Sequence, residues 1–233
     1  LCNSVKVTNK QNKLMTSFST DCSHVLGFVV CDDITLTDDP NDSMEFGIFN
    51  TNSLVKMLSI YGNEVSIDVN VAGGVATSLA INDTEFTSKI NLADLDVIPT
   101  PPSTNTIPDP DITLTISAAF ISKFNKAKGA LSESTVMAFE VDSLGSNGPV
   151  MKVIINYAEH NTDRIELELP LNDADNHSNV PIMTFDANKF KEILLANKDC
   201  ELGTIQLSAQ GIMTLTFKGE GYQSKYYQVM LQD

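Results

Sequence analysis

The sequence predicts an α+β protein, dominated by antiparallel strands and built from two similar β-rich domains in tandem with short helices on one face. Three observations carry that prediction. Apolar and polar residues alternate in short runs bounded by Asn, Asp and Gly through most of the 233 residues, which is the pattern of half-buried strands. Only three segments break the period of two with apolar residues at helical spacing. One proline-rich stretch divides the chain near its midpoint. With 42% hydrophobic and 19% charged residues, each half is able to bury a core.

The first helical segment is "NSLVKMLSIY", Asn52 to Tyr61, where Leu54, Leu58 and Tyr61 share a face behind an Asn/Thr/Ser-rich start able to cap exposed amides. "VIPTPPSTNTIPDPD", Val97 to Asp111, then holds five of the nine prolines and reads as an extended, semi-rigid connector. The domains are therefore expected at 1–97 and 112–233, joined by residues 98–111. In "SAAFISKFNKAKGA", Ser117 to Ala130, one face carries Phe120, Ile121, Phe124 and Ala127, and Gly129 is the expected stop. Strands follow at "VMKVIINY" (150–157), "RIELELPL" (164–171), "TIQLSAQGIMTLTF" (204–217) and "YYQVML" (226–231), with "AQG" as a hairpin turn in the third. "DANKFKEILLANK", Asp186 to Lys198, opens on an Asp cap and stacks Phe190, Ile193, Leu194 and Asn197 along one side. Helices this short need a sheet to pack against.

The halves repeat one another. "FNTNSLVKMLSIY" from Phe49 aligns with "FDANKFKEILLAN" from Phe185, setting Leu54, Met57 and Leu58 on Phe190, Ile193 and Leu194. Downstream, Gly74 falls on Gly211 and Ser88-Lys89 on Ser224-Lys225. At that offset the helix of Ser117–Ala130 maps ahead of Leu1. A true repeat therefore predicts a first helix in residues preceding Leu1; the alternative is a first half that never had one.

Catalytic and metal chemistry find little footing. Cys2, Cys22, Cys31 and Cys200 show no C-x-x-C pairing, so neither zinc nor a disulfide framework is signalled, and a reducing, intracellular setting is the simpler reading. The histidines are His24, His160 and His177. A site at Cys22, His24 and Cys31 has no recognised spacing, and no Gly-rich phosphate loop occurs. "DDITLTDDPNDS", Asp32 to Ser43, lacks the Gly and terminal Glu of a calcium loop and reads as a solvated acidic turn. Asn41, Asn82 and Asn176 fit the glycosylation pattern only as coincidences of an Asn-rich chain. No apolar run of membrane-spanning length exists, and "LCNSVKVTNK" lacks a signal-peptide core.

Charge is the informative property. The formal net charge is -15, which taken alone argues against nucleic acid. Yet Lys56, Lys123, Lys126, Lys128, Lys189, Lys191 and Lys198 lie in the three helical segments beside only Asp186 and Glu192, so 37 residues carry +5 and the remaining 196 carry -20. Lysine is a common solvent-face residue, and Lys128 and Lys198 also suit the C-terminal ends of their helices. Agreement of three helices within an acidic chain goes beyond that. Lysines without aromatic partners suit phosphate contact that is weak, sequence-independent and salt-sensitive.

Together these features resemble the DNA polymerase sliding clamps, in pattern more the T-even-phage type and more distantly proliferating cell nuclear antigen. The second half carries the resemblance in "ITLTISAAFISKFNKAKGAL", "TFDANKFKEILLAN" and "GIMTLTFKGEGYQSKYYQVML", where a hairpin closes with a Ser-x-Tyr-Tyr strand. The resemblance runs from about Val5 to the end. It implies the DNA clamp fold and a ring-forming homotrimer closed head-to-tail around double-stranded DNA. Such a ring tethers a DNA polymerase for processive synthesis and is placed by a clamp loader. No enzymatic activity, cofactor, metal or membrane is implied, and the setting would be cytoplasmic, the host cytoplasm if the protein is viral. Carried onto this sequence, the DNA-facing candidates are Lys56, Lys123, Lys126, Lys128, Lys189 and Lys191. A pocket for a partner peptide would draw on Ile98, Pro99 and Ile107 of the connector and on Tyr226, Tyr227 and Val229 of the last strand. The competing reading is a β-rich viral structural or adhesion protein, which has no reason to segregate lysine onto helices and would not bind DNA.

Overall fold

The computed structural model describes residues 2–20, 24–34, 36, 43–62, 65–102, 107–143, 148–158, 160, 163–171 and 180–232. Cys22, His177, Asn41, Asn176 and most of the acidic stretch 32–43 lie outside the described residues. The chain divides into two compact units, Cys2–Pro102 and Ser103–Asp233 (the second also takes in Leu1), so the division falls inside the proline-rich connector.

In the N-terminal unit, strands β1 (Val5–Lys10), β2 (Lys13–Ser19), β3 (Val25–Asp32) and β4 (Met44–Ile48) form an antiparallel run in the order β4-β1-β2-β3. The helix α1 (Thr51–Leu58) follows, then β5 (Ser66–Ala72), β6 (Val75–Asn82) and β7 (Thr87–Asn91) as a separate three-stranded sheet. Alternation sets the inward faces: Val5 and Val7 are buried with Phe46 and Ile48, and Leu79 and Ile81 are the buried apolar residues of β6. Ile98, expected in the connector, is buried in this unit instead. A Cβ on Gly47 would stand 2.8 Å from the carbonyl oxygen of Ala93 and 3.1 Å from Ile98 Cγ1, so glycine is what lets the Ala93 backbone approach, beside the Ile98 side chain.

The C-terminal unit opens with β8 (Ile112–Ser117) and α2 (Ala118–Ala130), to which no element among the described residues of the first unit corresponds. Strands β9 (Val136–Asp142), β10 (Val150–Ile155), β11 (Ile165–Pro170) and β12 (Met183–Asp186) then form a sheet in the order β11-β10-β9-β12. The helix α3 (Ala187–Ala196) leads into β13 (Leu202–Ser208), β14 (Ile212–Gly219) and β15 (Tyr222–Val229), with β8 pairing antiparallel to β13. The repeat read from the sequence is present in three dimensions. β5 and β13 are offset by 136 residues at both ends and β6 and β14 by 137, and the orders β4-β1-β2-β3 and β12-β9-β10-β11 correspond strand for strand. Gly74 (φ 81°) and Gly211 (φ 82°) occupy the same left-handed turn position, which an L side chain rarely adopts.

An aromatic cluster holds the C-terminal core. Phe124 of α2 meets Phe190 of α3 edge-on at 4.8 Å between ring centroids, and Phe139 meets Phe185 at 5.9 Å and Phe190 at 6.1 Å. All four rings are buried, each contributing about 1.5–3 kcal/mol of transfer free energy. The expected stop at Gly129 is incorrect: the helix runs through Ala130, with Leu131 as its C-cap.

Candidate nucleic-acid interface

The short helices form because their caps are in place. Ser117 accepts from the amide of Phe120 to start α2, and Asp186 accepts from the amides of Asn188 and Lys189 to start α3. Phe120, Ile121 and Phe124 turn one face of α2 inward, while Phe190, Ile193 and Leu194 do the same for α3. That leaves Lys123 and Lys126 exposed on α2, and Lys189 and Lys191 half-exposed on α3. These two helices carry five lysines against the single carboxylate of Glu192, which pairs with Lys189 at 3.2 Å. Among the described residues, no carboxylate lies within ion-pair reach of Lys123, Lys126 or Lys191. Elsewhere some cations are paired: Lys13 with Asp32 at 2.9 Å, Lys152 with Asp142 at 2.7 Å and Arg164 with Glu166 at 2.7 Å. Lys56 is exposed on α1 in the other unit.

Lys128, expected among the DNA-facing candidates, is placed differently from the other lysines of α2. It is 2% exposed, and its Nζ donates to the carbonyl oxygens of Ser132 at 2.8 Å and Leu131 at 3.4 Å. Burial, followed by the charge of Lys191, holds its pKa below the usual lysine value. It bonds the C-cap carbonyl of Leu131 and that of Ser132 just beyond α2, and its charge is spent internally.

The predicted peptide pocket is brought together only in part. Ile107 and Tyr227 line a shallow cleft of about 230 Å³ with Pro108, Pro110, Ile212 and Lys225, and the Lys225 ammonium lies 5.1 Å from the centroid of the Tyr227 ring. Tyr226 is not in the cleft. Strand alternation turns it into the core, 6.4 Å from the ring of Phe217, where its hydroxyl accepts from Asn197 Nδ2 at 3.2 Å. Ile98 is likewise excluded by its burial, Pro99 is exposed in the N-terminal unit, and Val229 is exposed without lining the cleft. Pro108, Pro110 and Ile212 went unnoticed in the sequence; the prolines were visible as connector, but a strand residue such as Ile212 carries no sign of which face it takes.

Asn197, Ser224 and Tyr226 form a buried network that the sequence shows only as an Asn on an apolar stripe. Ser224 Oγ donates to Asn197 Oδ1 at 2.7 Å, and Asn197 Nδ2 also donates to the carbonyl of Ile193 at 2.8 Å. It fastens the end of α3 to β15. Among the described residues, no group of three or more His, Cys, Asp and Glu is placed to hold a metal, and no helix is long and apolar enough to cross a membrane. Cys31 sits half-buried on β3, where burial and Asp32 push its thiol up, away from reactivity. Asn82 lies within β6 and donates to Asp68 Oδ2 at 3.2 Å.

The arrangement of strands and helices matches solved structures along its whole length. Proliferating cell nuclear antigen from Entamoeba histolytica superimposes with a TM-score of 0.74 at 17% identity, covering 99% of this chain and 90% of that one. The structure of the C-terminal region of FEN-1 bound to A. fulgidus PCNA gives 0.75 at 15% identity, covering 100% of this chain and 91% of that one. This chain has the sliding-clamp fold. A third clamp structure, the PCNA2–PCNA3 complex from Sulfolobus tokodaii, gives 0.74 at 9% identity, covering 98% and 90%. No protein-family model and no curated protein sequence matches the chain, so the clamp likeness resides in backbone architecture rather than in sequence.

Proposed function

We propose that the chain is a subunit of a DNA sliding clamp: three copies close head-to-tail around duplex DNA, and the ring tethers a DNA polymerase after a loader places it. The observation that carries this reading is the group of lysines on α2 and α3, where Lys123 and Lys126 are exposed and Lys191 half-exposed with no carboxylate among the described residues in ion-pair reach, in a chain of net charge -15 with the clamp fold. Lysines that meet phosphates as point charges hold a duplex without reading bases. Surrounding carboxylates repel DNA from the other surfaces, so contact is confined and weak. For a topologically held ring, weak contact permits sliding.

The DNA-facing set in this proposal is Lys56, Lys123, Lys126, Lys189 and Lys191. Replacing both Lys123→Glu and Lys126→Glu is expected to lower clamp-stimulated synthesis by on the order of tenfold and to flatten its salt dependence. Thermal unfolding should shift little, since both positions are exposed. Unchanged stimulation at normal stability would refute the assignment.

The cleft at Ile107, Ile212 and Tyr227 is the proposed seat of a hydrophobic partner peptide. Tyr227→Ala is expected to weaken capture of such a peptide by about 1–3 kcal/mol, measured by fluorescence anisotropy on the intact chain. Equal affinity for the variant would place the peptide elsewhere.

A further inference from the structure

The charges of α3 are set against the helix's own preference. Lys189 stands in the first turn, at the positive end of the macrodipole, where a cation is disfavoured. Glu192 follows it by three residues, and Lys189 Nζ lies 3.2 Å from Glu192 Oε2. Pairs on a helix gain more when the acid precedes the base, so this order is the weaker one. Helix stability therefore does not account for the pair. Glu192 is also the only acid within α1, α2 and α3, which together hold six lysines. Among the described residues, Lys189 is the one lysine of the DNA-facing set with a carboxylate in ion-pair reach. The Glu192 side chain is 44% exposed and that of Lys189 26%, so the carboxylate is the more open of the two to an approaching phosphate.

We propose that Glu192 is a built-in competitor for duplex phosphates: it occupies Lys189 and thereby limits how tightly α3 holds DNA. The proposal rests on the reading that the helix lysines meet DNA. An exposed pair of this kind is weak, and breaking it leaves no charge buried. A phosphate that takes Lys189 must displace Glu192 and then stand beside its carboxylate, so the contact gains little. Lys123, Lys126 and Lys191 draw the duplex in, while Lys189 stays occupied and the hold on the DNA is one contact smaller. In a ring held by topology, a weaker hold shortens each pause along the duplex.

The test uses the intact chain and a linear duplex carrying a fluorophore, with association followed by anisotropy across a salt series. Glu192→Gln is expected to tighten association by about two- to fivefold at low salt and to steepen its salt dependence by about one unit per subunit in contact. Adding Lys189→Gln should cancel both gains. Glu220→Gln, in the exposed turn between β14 and β15, removes an equal charge away from the helices and should leave the salt slope unchanged. Thermal unfolding of the Glu192→Gln chain should match the wild type, since the position is exposed. An affinity for Glu192→Gln no higher than for Glu220→Gln, or a gain that survives Lys189→Gln, would overturn the proposal; wild-type binding that Lys123→Glu and Lys126→Glu weaken would still uphold the DNA reading. No salt-dependent association by any of these chains would overturn that reading, and the proposal with it.

Discussion

Lys128 and Lys123 show how two lysines on one short helix take opposite roles. They are five positions apart on α2, yet Lys123 points to solvent and Lys128 folds back on the carbonyls of Leu131 and Ser132. Lys128→Ala removes both bonds and is expected to cost about 1–3 kcal/mol in urea unfolding at neutral pH, while Lys123→Ala stays within about 0.5 kcal/mol. The pH dependence distinguishes them further. Because burial lowers the folded pKa of Lys128 below 10.5, the native protein gains stability as pH rises through that lowered value towards 10.5. Lys128→Ala should lack that gain, and an identical pH profile for the two proteins would contradict the account. The sequence placed Lys128 at a helix end, where a cation suits the dipole, but periodicity gives no sign that a long side chain will curl over the end and be buried. Tyr226 and Tyr227 illustrate the same limit. Alternation requires that one of them face inward, and only the network with Asn197 and Ser224 decides which.

The elements themselves were more legible than their surroundings. All three helices were readable because apolar spacing and Ser, Asn or Asp caps agree: Asn50, Ser117 and Asp186 each accept an amide at a helix start. Asp186 closes two amides of α3, so Asp186→Ala is expected to lower stability by about 1 kcal/mol, read from the unfolding midpoint in denaturant; no change would mean that α3 is held by packing alone. The repeat was readable through Phe49 and Phe185 and through the turn glycines Gly74 and Gly211, because left-handed turns and helix caps tolerate few residue types. What the repeat did not convey is how different equivalent positions become. Met57 and Leu58 align with Ile193 and Leu194, but the first pair is exposed and the second fully buried, since α2 packs on α3 while α1 is the one α-helix among the described residues of the first unit. The connector's limits were also misjudged at its start: the side chain of Ile98 fits over Gly47, and a proline count cannot register that.

For the molecule as a whole, charge and architecture carry the account together. Net charge alone points away from DNA, and the fold alone says nothing of what the chain meets. The lysines of α2 and α3, concentrated beside the single carboxylate of Glu192 in an acidic chain, connect the two. The whole-chain likeness to clamp structures at 9–17% identity is a likeness of backbone architecture. The central claim is that these units close into a ring, and the most direct measurement is the solution mass by light scattering across a wide range of protein concentration. Three chains of 25.4 kDa each predict a species of about 76 kDa that persists on dilution into the micromolar range typical of specific assemblies. A single species at the mass of one chain at every concentration would contradict the ring.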